Sequence, residues 1–268
     1  MIRTFFFYSL MLMMLAGCNS ARKTSSGPAS REVTVVTYNV HHANPPSQPK
    51  EVIDLDTIAA TIRKSGAQLV ALQELDSVTV RANKEFQLKL LADKLGMYYY
   101  YGKAIPYEGG GYGVGILSKY PLTETRTIML PKIEGFTGED RVVALGRVSL
   151  PGKKDIWFAS THLDVSKEEN RVLQTAAIVK LGESLSLPLV IGGDFNATDE
   201  KGAIQPLTAF FTDASINKAP TIPNVNPKRR IDYIFFPKTS SFKTVSEQVL
   251  MEGFYGSDHL GYKAVLSY

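Results

Sequence analysis

The chain has 268 residues, 44% of them hydrophobic and 21% charged, enough to bury one large core or two small ones. A formal net charge of +4 is only mildly basic, so charge alone gives no argument for nucleic acid as a partner. A single cysteine rules out an internal disulfide and disfavours redox or zinc-thiolate chemistry.

The first residues read as a targeting segment. Arg3 gives a short positive region, and residues 5–15 form an apolar run too short to span a bilayer. Leu15-Ala16-Gly17-Cys18 then looks like a bacterial lipoprotein processing box, which implies cleavage before Cys18 and a lipid on that cysteine. The expectation is a signal peptide over 1–17, a tether over 18–31 rich in Ser, Ala, Lys and Gly, and one folded domain over 32–268. Such a protein sits in the bacterial cell envelope, on its periplasmic or extracellular face, and touches the membrane through the lipid anchor only.

Residues 33–38 are a β-rich run ending in Asn39-Val40-His41-His42, with a Pro-rich loop after it. Leu55, Ile58, Ala59 and Ile62 recur at helical spacing, with Gly66 as a C-cap. Residues 67–72 read as a second buried strand with Gln73-Glu74 at its end. A second helix is expected from about Asn83 to Leu95, turning Phe86, Leu90 and Leu91 inward and closed by Gly96. From residue 97 to 150 the texture changes to strands separated by Gly and Pro, over 98–102, 112–118, 123–130 and 141–150. Gly109-Gly110-Gly111 has no helix after it, so it is not a nucleotide loop and reads as a flexible loop on the substrate side.

Residues 156–161 form a strand ending in Thr161-His162-Leu163-Asp164. The helix from Lys167 to about Leu185 opens with Ser166 and Glu169 in a capping-box pattern. An apolar run over 187–191 leads into Gly192-Gly193-Asp194-Phe195-Asn196. One residue between Asp194 and Asn196 predicts both side chains on the same side of an extended backbone. Past a loop segment, residues 229–236 are a strand carrying Asp232, and the chain ends with Gly256-Ser257-Asp258-His259 and a strand over 262–266. Mixed patterning without regular βαβ alternation favours an α+β fold, two packed sheets flanked by helices, over a doubly wound parallel sheet.

Five strand ends carry polar side chains: Asn39, Glu74, His162, Asp194 with Asn196, and Asp258 with His259. Each alone has an ordinary explanation, as a turn former or a solvated charge. Together they fall where a fold gathers its loops into one rim. Glu74 and Asp258, helped by Asn39 and Asn196, offer oxygen ligands of the kind that Mg2+ or Mn2+ prefers. No His-x-x-x-His pair or thiolate set marks a zinc hydrolase. Asp194 suits orienting and deprotonating a water, and His162 and His259 suit donation to phosphoryl oxygens. Asp232 suits fixing the tautomer of one imidazole and raising its pKa. A serine hydrolase lacks its Gly-x-Ser-x-Gly elbow here, and a glycosidase pair would leave both histidines unexplained.

In their order, these residues resemble the endonuclease/exonuclease/phosphatase superfamily, which includes deoxyribonuclease I, exonuclease III, neutral sphingomyelinases and inositol polyphosphate 5-phosphatases. The stretches are Thr37-Tyr38-Asn39-Val40, Leu72-Gln73-Glu74, Gly113-Val114-Gly115-Ile116-Leu117-Ser118, Ser160-Thr161-His162-Leu163, Gly193-Asp194-Phe195-Asn196, Ile231-Asp232-Tyr233-Ile234 and Ser257-Asp258-His259. The resemblance covers 32–268 and implies a four-layer α-β-β-α sandwich of two mainly antiparallel sheets, with the site at one rim. It implies Glu74 as principal ligand of a Mg2+ (or Mn2+) ion, with Asn39 and Asp258 around the same ion. Asp194 is then the base, Asn196 binds phosphate or metal, and His259 paired with Asp232 acts with His162 on the transition state or leaving group. Arg171 and Gln174 match a helix position that reads as structural. His41 stands where exonuclease III relatives often place an acid, a departure that speaks against a second metal and against abasic-site activity.

His162 resembles the deoxyribonuclease I and sphingomyelinase branches, so a nuclease and a phospholipid or small-molecule phosphodiesterase both stay open. Arg81 and Arg141 are candidate phosphate binders, and Lys228-Arg229-Arg230 is either a steering patch or a solvated charge run. The sequence thus points to a lipid-anchored, monomeric, Mg2+-dependent phosphodiesterase or phosphatase, with substrate choice in loops 45–50, 108–111 and 220–230. The competing reading is a non-catalytic surface-binding lipoprotein that retains the sandwich. The complete acid-base and metal set speaks against it.

Overall fold

The computed structural model describes residues 1, 31–200, 202–250 and 256–268. Cys18, the signal segment after Met1 and the tether up to residue 30 lie outside the described residues. In chain order the elements are β1 (Glu32–Asn39), α1 (Leu55–Ser65), β2 (Leu69–Ser77), α2 (Gln87–Leu95), β3 (Tyr98–Tyr107), β4 (Gly110–Ser118), β5 (Leu122–Met129), β6 (Val142–Leu150), β7 (Lys154–His162), α3 (Glu168–Ser184), β8 (Leu189–Asp194), α4 (Ile204–Phe210), β9 (Phe211–Asp213), β10 (Asp232–Pro237), β11 (Lys243–Leu250) and β12 (Gly261–Ser267).

The strands form two sheets of six, ordered β11-β12-β1-β2-β4-β3 and β5-β6-β7-β8-β10-β9. Each sheet holds one parallel pair, β1 with β2 and β7 with β8, and is otherwise antiparallel. Both sheets are therefore mixed but mainly antiparallel, in the α+β sandwich expected. Side chains from the two inner faces, among them Val35, Ala71, Ile116, Phe158, Val190 and Ile234, fill the space between the sheets. Ile58, Ile62, Leu88 and Leu91 bury the helices α1 and α2 on one outer face. Ile178, Ile204 and Leu207 do the same for α3 and α4 on the other. Full burial of each such aliphatic side chain stabilises the fold by roughly 1.5–3 kcal/mol.

Several expected boundaries move, each for a local reason. The helix α2 begins at Gln87 rather than near Asn83, because Asn83 (φ 54°) and Lys84 (φ 60°) adopt left-handed turn conformations. It buries Leu88, Leu91 and Ala92, leaving Phe86 and Leu90 half-buried. The capping box at α3 does not form. Asp164 Oδ1 instead accepts from the backbone N–H of Ser166 and Lys167 and from Ser166 Oγ. Gly109 to Gly111 are not a loose loop: Tyr107 pairs with Gly110, and Glu108 (φ 42°) and Gly109 (φ 77°) make a two-residue hairpin turn. The strand β11 and the short elements α4 and β9 were not anticipated.

The site's position follows from register. The last residues of β7 and β8, His162 and Asp194, are direct cross-strand partners, and Asp194 pairs on its other side with Asp232, the first residue of β10. Gly193 allows this close approach, since a Cβ there would lie 2.5 Å from the Thr161 carbonyl oxygen. Gly193→Ala is expected to destabilise the domain by about 1–3 kcal/mol through overpacking, seen as a thermal midpoint several degrees lower. An unchanged midpoint would mean that β7 and β8 are not held this tightly.

Candidate active site

Strand ends and one bulge converge on a single carboxylate. Asp194 is buried, and its Oδ2 accepts from Asn39 Nδ2 at 3.1 Å while its Oδ1 accepts from the Asn196 N–H at 2.9 Å. The ring nitrogens His162 Nε2 and His259 Nε2 lie 3.5 and 3.6 Å from Asp194 Oδ2. Burial raises the Asp194 pKa above the usual carboxylate range. His259, Asn196 and Asn39 pull it down and Asp232 pushes it up, and burial wins.

His259 donates from Nδ1 to Asp232 Oδ2 at 2.9 Å, and Thr221 Oγ1 donates to the same oxygen at 2.5 Å. Burial opposes the charged imidazole, but Asp232 and Asp194 outweigh it and push His259 up to about 10. His162 is the opposite case. Burial, Arg141 and His259 hold it far below the free imidazole value, so it is neutral. Asn196 Nδ2 reaches both His162 Nε2 (2.9 Å) and the Leu163 carbonyl (3.0 Å), so Nε2 is the acceptor and Nδ1 carries the hydrogen. His162 therefore fixes Asn196 and is not set to donate from Nε2, contrary to the sequence expectation. Asn196 itself is left-handed (φ 49°), so the pair Asp194 and Asn196 meets through a tight turn and not through an extended backbone.

Glu74 is not at a strand end. It occupies a β-bulge within β2, where the register shifts between Leu72 and Leu75, with φ 57°. Bulges of this kind re-aim a side chain at a site. Asn39 holds the redirected carboxylate from Nδ2 to Glu74 Oε1 at 3.0 Å. Because Asn39 Oδ1 accepts from the His41 N–H at 3.0 Å, its amide nitrogen is the end that faces Glu74 and Asp194. Asn39 is then a spacer between two carboxylates, not the oxygen ligand that was expected. Asp258 lines the same pocket as Glu74. Its loop is pinned by Ser257 Oγ on the Asn39 carbonyl (2.7 Å) and by Asn224 on the Ser257 carbonyl (2.7 Å).

Among the described residues, two clusters bring three metal-ligating groups within 4.8 Å of one another: His41, His42 and Glu74, and Asp194, Asp232 and His259. In the second, His259 Nδ1 is already engaged by Asp232 Oδ2 at 2.9 Å. In the first, His41 (φ 47°), His42 (φ 43°) and Ala43 (φ 59°) are three consecutive left-handed residues. Such a conformation costs roughly 1–2 kcal/mol per residue. Burial, Arg81 and His41 lower His42 to about 3 against the pull of Asp258, so its ring is neutral.

The two arginines differ. Arg81 is committed to Asp76, by Nε at 2.6 Å and Nη2 at 3.0 Å, and stacks over Tyr107. It shapes the cleft wall and is not free to clamp a phosphate. Arg141 lines the pocket around Asp194, pairs through Nη2 with Glu139 at 3.0 Å, and leaves its buried Nε without a partner. The Lys228-Arg229-Arg230 run splits: Arg230 is buried against Asp199 and Asp213, Lys228 is exposed, and Arg229 lines the Asp194 pocket. Arg171 and Gln174 are structural, tying the Asp164 backbone to α3. Thr221 and His42 went unnoticed in the sequence: Thr221 stands in a patternless loop, and His42 is visible only as a neighbour of His41.

A protein-family model described as the endonuclease/exonuclease/phosphatase family matches residues 36–259. The Escherichia coli K12 protein YbhP, itself uncharacterized, is 27% identical over 229 residues, 77% of this chain and 85% of that protein. An endonuclease/exonuclease/phosphatase from Beutenbergia cavernae superposes with a TM-score of 0.71 at 22% identity, covering 88% of this chain and 72% of the other. A mannosyl-6-phosphatase from Bacteroides thetaiotaomicron superposes with a TM-score of 0.69 at 19% identity, covering 88% and 100%.

Proposed function

Since the chain belongs to the endonuclease/exonuclease/phosphatase family, we propose that it is a metal-dependent hydrolase of small phosphoesters. The observation that carries this reading is the buried Asp194 carboxylate, raised in pKa and ringed by Asn39, Asn196, His162 and His259. A general base works best when its pKa lies near the operating pH, and burial moves Asp194 in that direction.

The donor set fits a divalent cation. Glu74 is re-aimed by its bulge, keeps Oε2 free of hydrogen bonds from Asn39, and shares a pocket with Asp258. A cation held by Glu74 and Asp258 would neutralise charge developing on the phosphoryl group. Asp194 takes the proton from the attacking water. His259, kept protonated by Asp232, turns Nε2–H toward a phosphoryl oxygen and stabilises its charge. Arg141, whose guanidinium also pairs with Glu139, brings positive charge to the pocket wall. Asn39 keeps the carboxylates of Glu74 and Asp194 apart.

The surroundings favour a small substrate over a polynucleotide. The Asp194 pocket is about 420 Å³ and joins Arg141 and Arg229 with Glu74, Glu139 and Asp258. A neighbouring cleft of about 920 Å³ pairs Lys50 and Arg81 with Glu51 and Glu108. Neither is the basic, aromatic track that a nucleic-acid backbone requires. The name of the Bacteroides relative, a sugar phosphatase, points the same way.

Aryl phosphodiester and aryl phosphomonoester hydrolysis should appear with Mg2+ or Mn2+ and vanish with chelator. Sugar phosphates or phospholipid headgroup esters should turn over faster than DNA or RNA. No metal-dependent turnover on either aryl ester would sink the hydrolase reading, and preferred cleavage of DNA or RNA would sink the choice of substrate class.

A further inference from the structure

We propose that the cation at Glu74 is held by two imidazoles as well: His41, His42 and Glu74 form a two-histidine, one-carboxylate centre that takes Mn2+, Co2+ or Zn2+ in preference to Mg2+. The inference rests on the reading of Glu74 as a cation ligand and changes which metal that ligand serves.

Three independent features converge here. The first is distance: one ligand atom from each residue lies within 4.8 Å of the others. Neighbouring ligands on one ion at 2.0–2.2 Å stand about 3–3.5 Å apart, so a closure of about 1–2 Å, within reach of side-chain rotation, assembles the centre. The second is the state of the imidazole. His41 Nδ1 is 3.0 Å from the Asn44 carbonyl, which makes Nδ1 the protonated nitrogen and leaves the Nε2 lone pair available. A ligating histidine is fixed by such a bond on its other nitrogen.

The third is backbone strain with its restraints. All three ligands lie at left-handed positions, two in the turn after β1 and one in the β2 bulge. The turn is held from several sides. Gln87 Nε2 donates to the His42 carbonyl (2.7 Å), the Asp54 N–H donates to the Ala43 carbonyl (2.7 Å), and Asn44 Nδ2 donates to the Pro49 and Val52 carbonyls (2.8 Å each). Strain that a structure over-determines in this way marks a functional position. Here it turns two neighbouring rings toward one carboxylate, their centroids 4.5 Å apart.

The donor chemistry sets the preference. Mg2+ favours oxygen and retains its waters. Two imidazoles and a carboxylate with open positions suit borderline ions, whose affinities rise along the first row. The absence of a His-x-x-x-His pair in the sequence does not bear on this, because adjacent histidines in a left-handed turn replace helical spacing.

The test is metal binding to the metal-free full chain, without reference to turnover. Co2+ should give visible d–d absorption that Zn2+ displaces and a large excess of Mg2+ does not. His41→Gln and His42→Gln should each weaken Co2+ and Zn2+ binding about tenfold or more, leave Mg2+ binding unchanged, and retain the wild-type circular dichroism. In the wild type, Zn2+ but not Mg2+ should protect both histidines from diethyl pyrocarbonate, a readout that needs no variant. Equal affinity for Mg2+ and Zn2+, wild-type Zn2+ affinity in the double variant, or no protection overturns the centre. Turnover that persists beside any of those results leaves the hydrolase reading standing, and ordered Co2+ binding without turnover does the reverse.

Discussion

Asp194→Asn is expected to lower kcat on an activated aryl phosphodiester by about 10²–10⁴-fold, the contribution of a positioned general base, with the fold intact. The amide matches the shape of the buried slot at the end of β8 and keeps an oxygen to accept the Asn196 N–H. Its NH2 replaces the oxygen that accepts from Asn39 Nδ2, so one buried hydrogen bond is lost. Its effect on stability has a definite sign. The Asp194 pKa is raised in the folded state, so the folded protein binds this proton more tightly than the unfolded chain does. The stability linked to that proton is present below the unfolded pKa and is lost as pH rises through the folded one. At about pH 8 the wild type carries the full penalty of a buried charge beside Asp232 and the variant does not. The thermal midpoint of the variant should therefore rise relative to that of the wild type as pH increases, and fall relative to it in acid. Turnover at the wild-type rate would remove Asp194 as the base. A variant that fails to fold would show that its carboxylate is needed for structure.

The parts of this site that could be read from the sequence are those that strand register delivers. His162, Asp194 and Asp232 end or begin apolar strands, and once β7, β8 and β10 are neighbours, those three positions must meet. Local pattern carried that much. The bulge at Glu74 is invisible in Leu72-Gln73-Glu74-Leu75, because two-residue alternation does not encode where a ladder slips. The division of labour between the histidines was equally hidden. His162 is neutral because burial, Arg141 and His259 all act against its charged form. His259 is charged because Asp232 and Asp194 outweigh its burial, and all of these partners are distant in the chain. Asn39 shows the same limit: as a residue type it can ligate, but the His41 N–H takes its oxygen and turns its nitrogen inward. Outside the site, β11 escaped notice because an exposed edge strand buries too little to impose alternation. The helix α4 escaped because seven residues hold too few turns for a period.

Asp232→Asn should cost about as much activity as losing the base, roughly 10³–10⁴-fold in kcat, the loss seen when an orienting carboxylate behind a catalytic imidazole becomes an amide. One oxygen of Asp232 accepts from both His259 Nδ1 and Thr221 Oγ1, and the other is buried without a partner. An amide can offer its oxygen to that shared position only by placing an NH2 group where nothing accepts it. Turned the other way, it presents N–H to Nδ1 and forces the proton of His259 onto Nε2 alone. In either orientation the imidazolium loses the carboxylate that does most to offset its burial. Breaking a buried pair of this kind costs about 3–5 kcal/mol, so the thermal midpoint should fall with the activity. The pH dependence separates this from simple damage. His259 is raised to about 10 in the folded wild type, so the stability it contributes is full below the free imidazole value of 6.5 and is lost as pH climbs toward 10. In the variant that decline should flatten, and the His259 ring should titrate lower when followed by NMR. A His259 pKa unmoved by the substitution would mean that Asp194, and not Asp232, holds the proton in place.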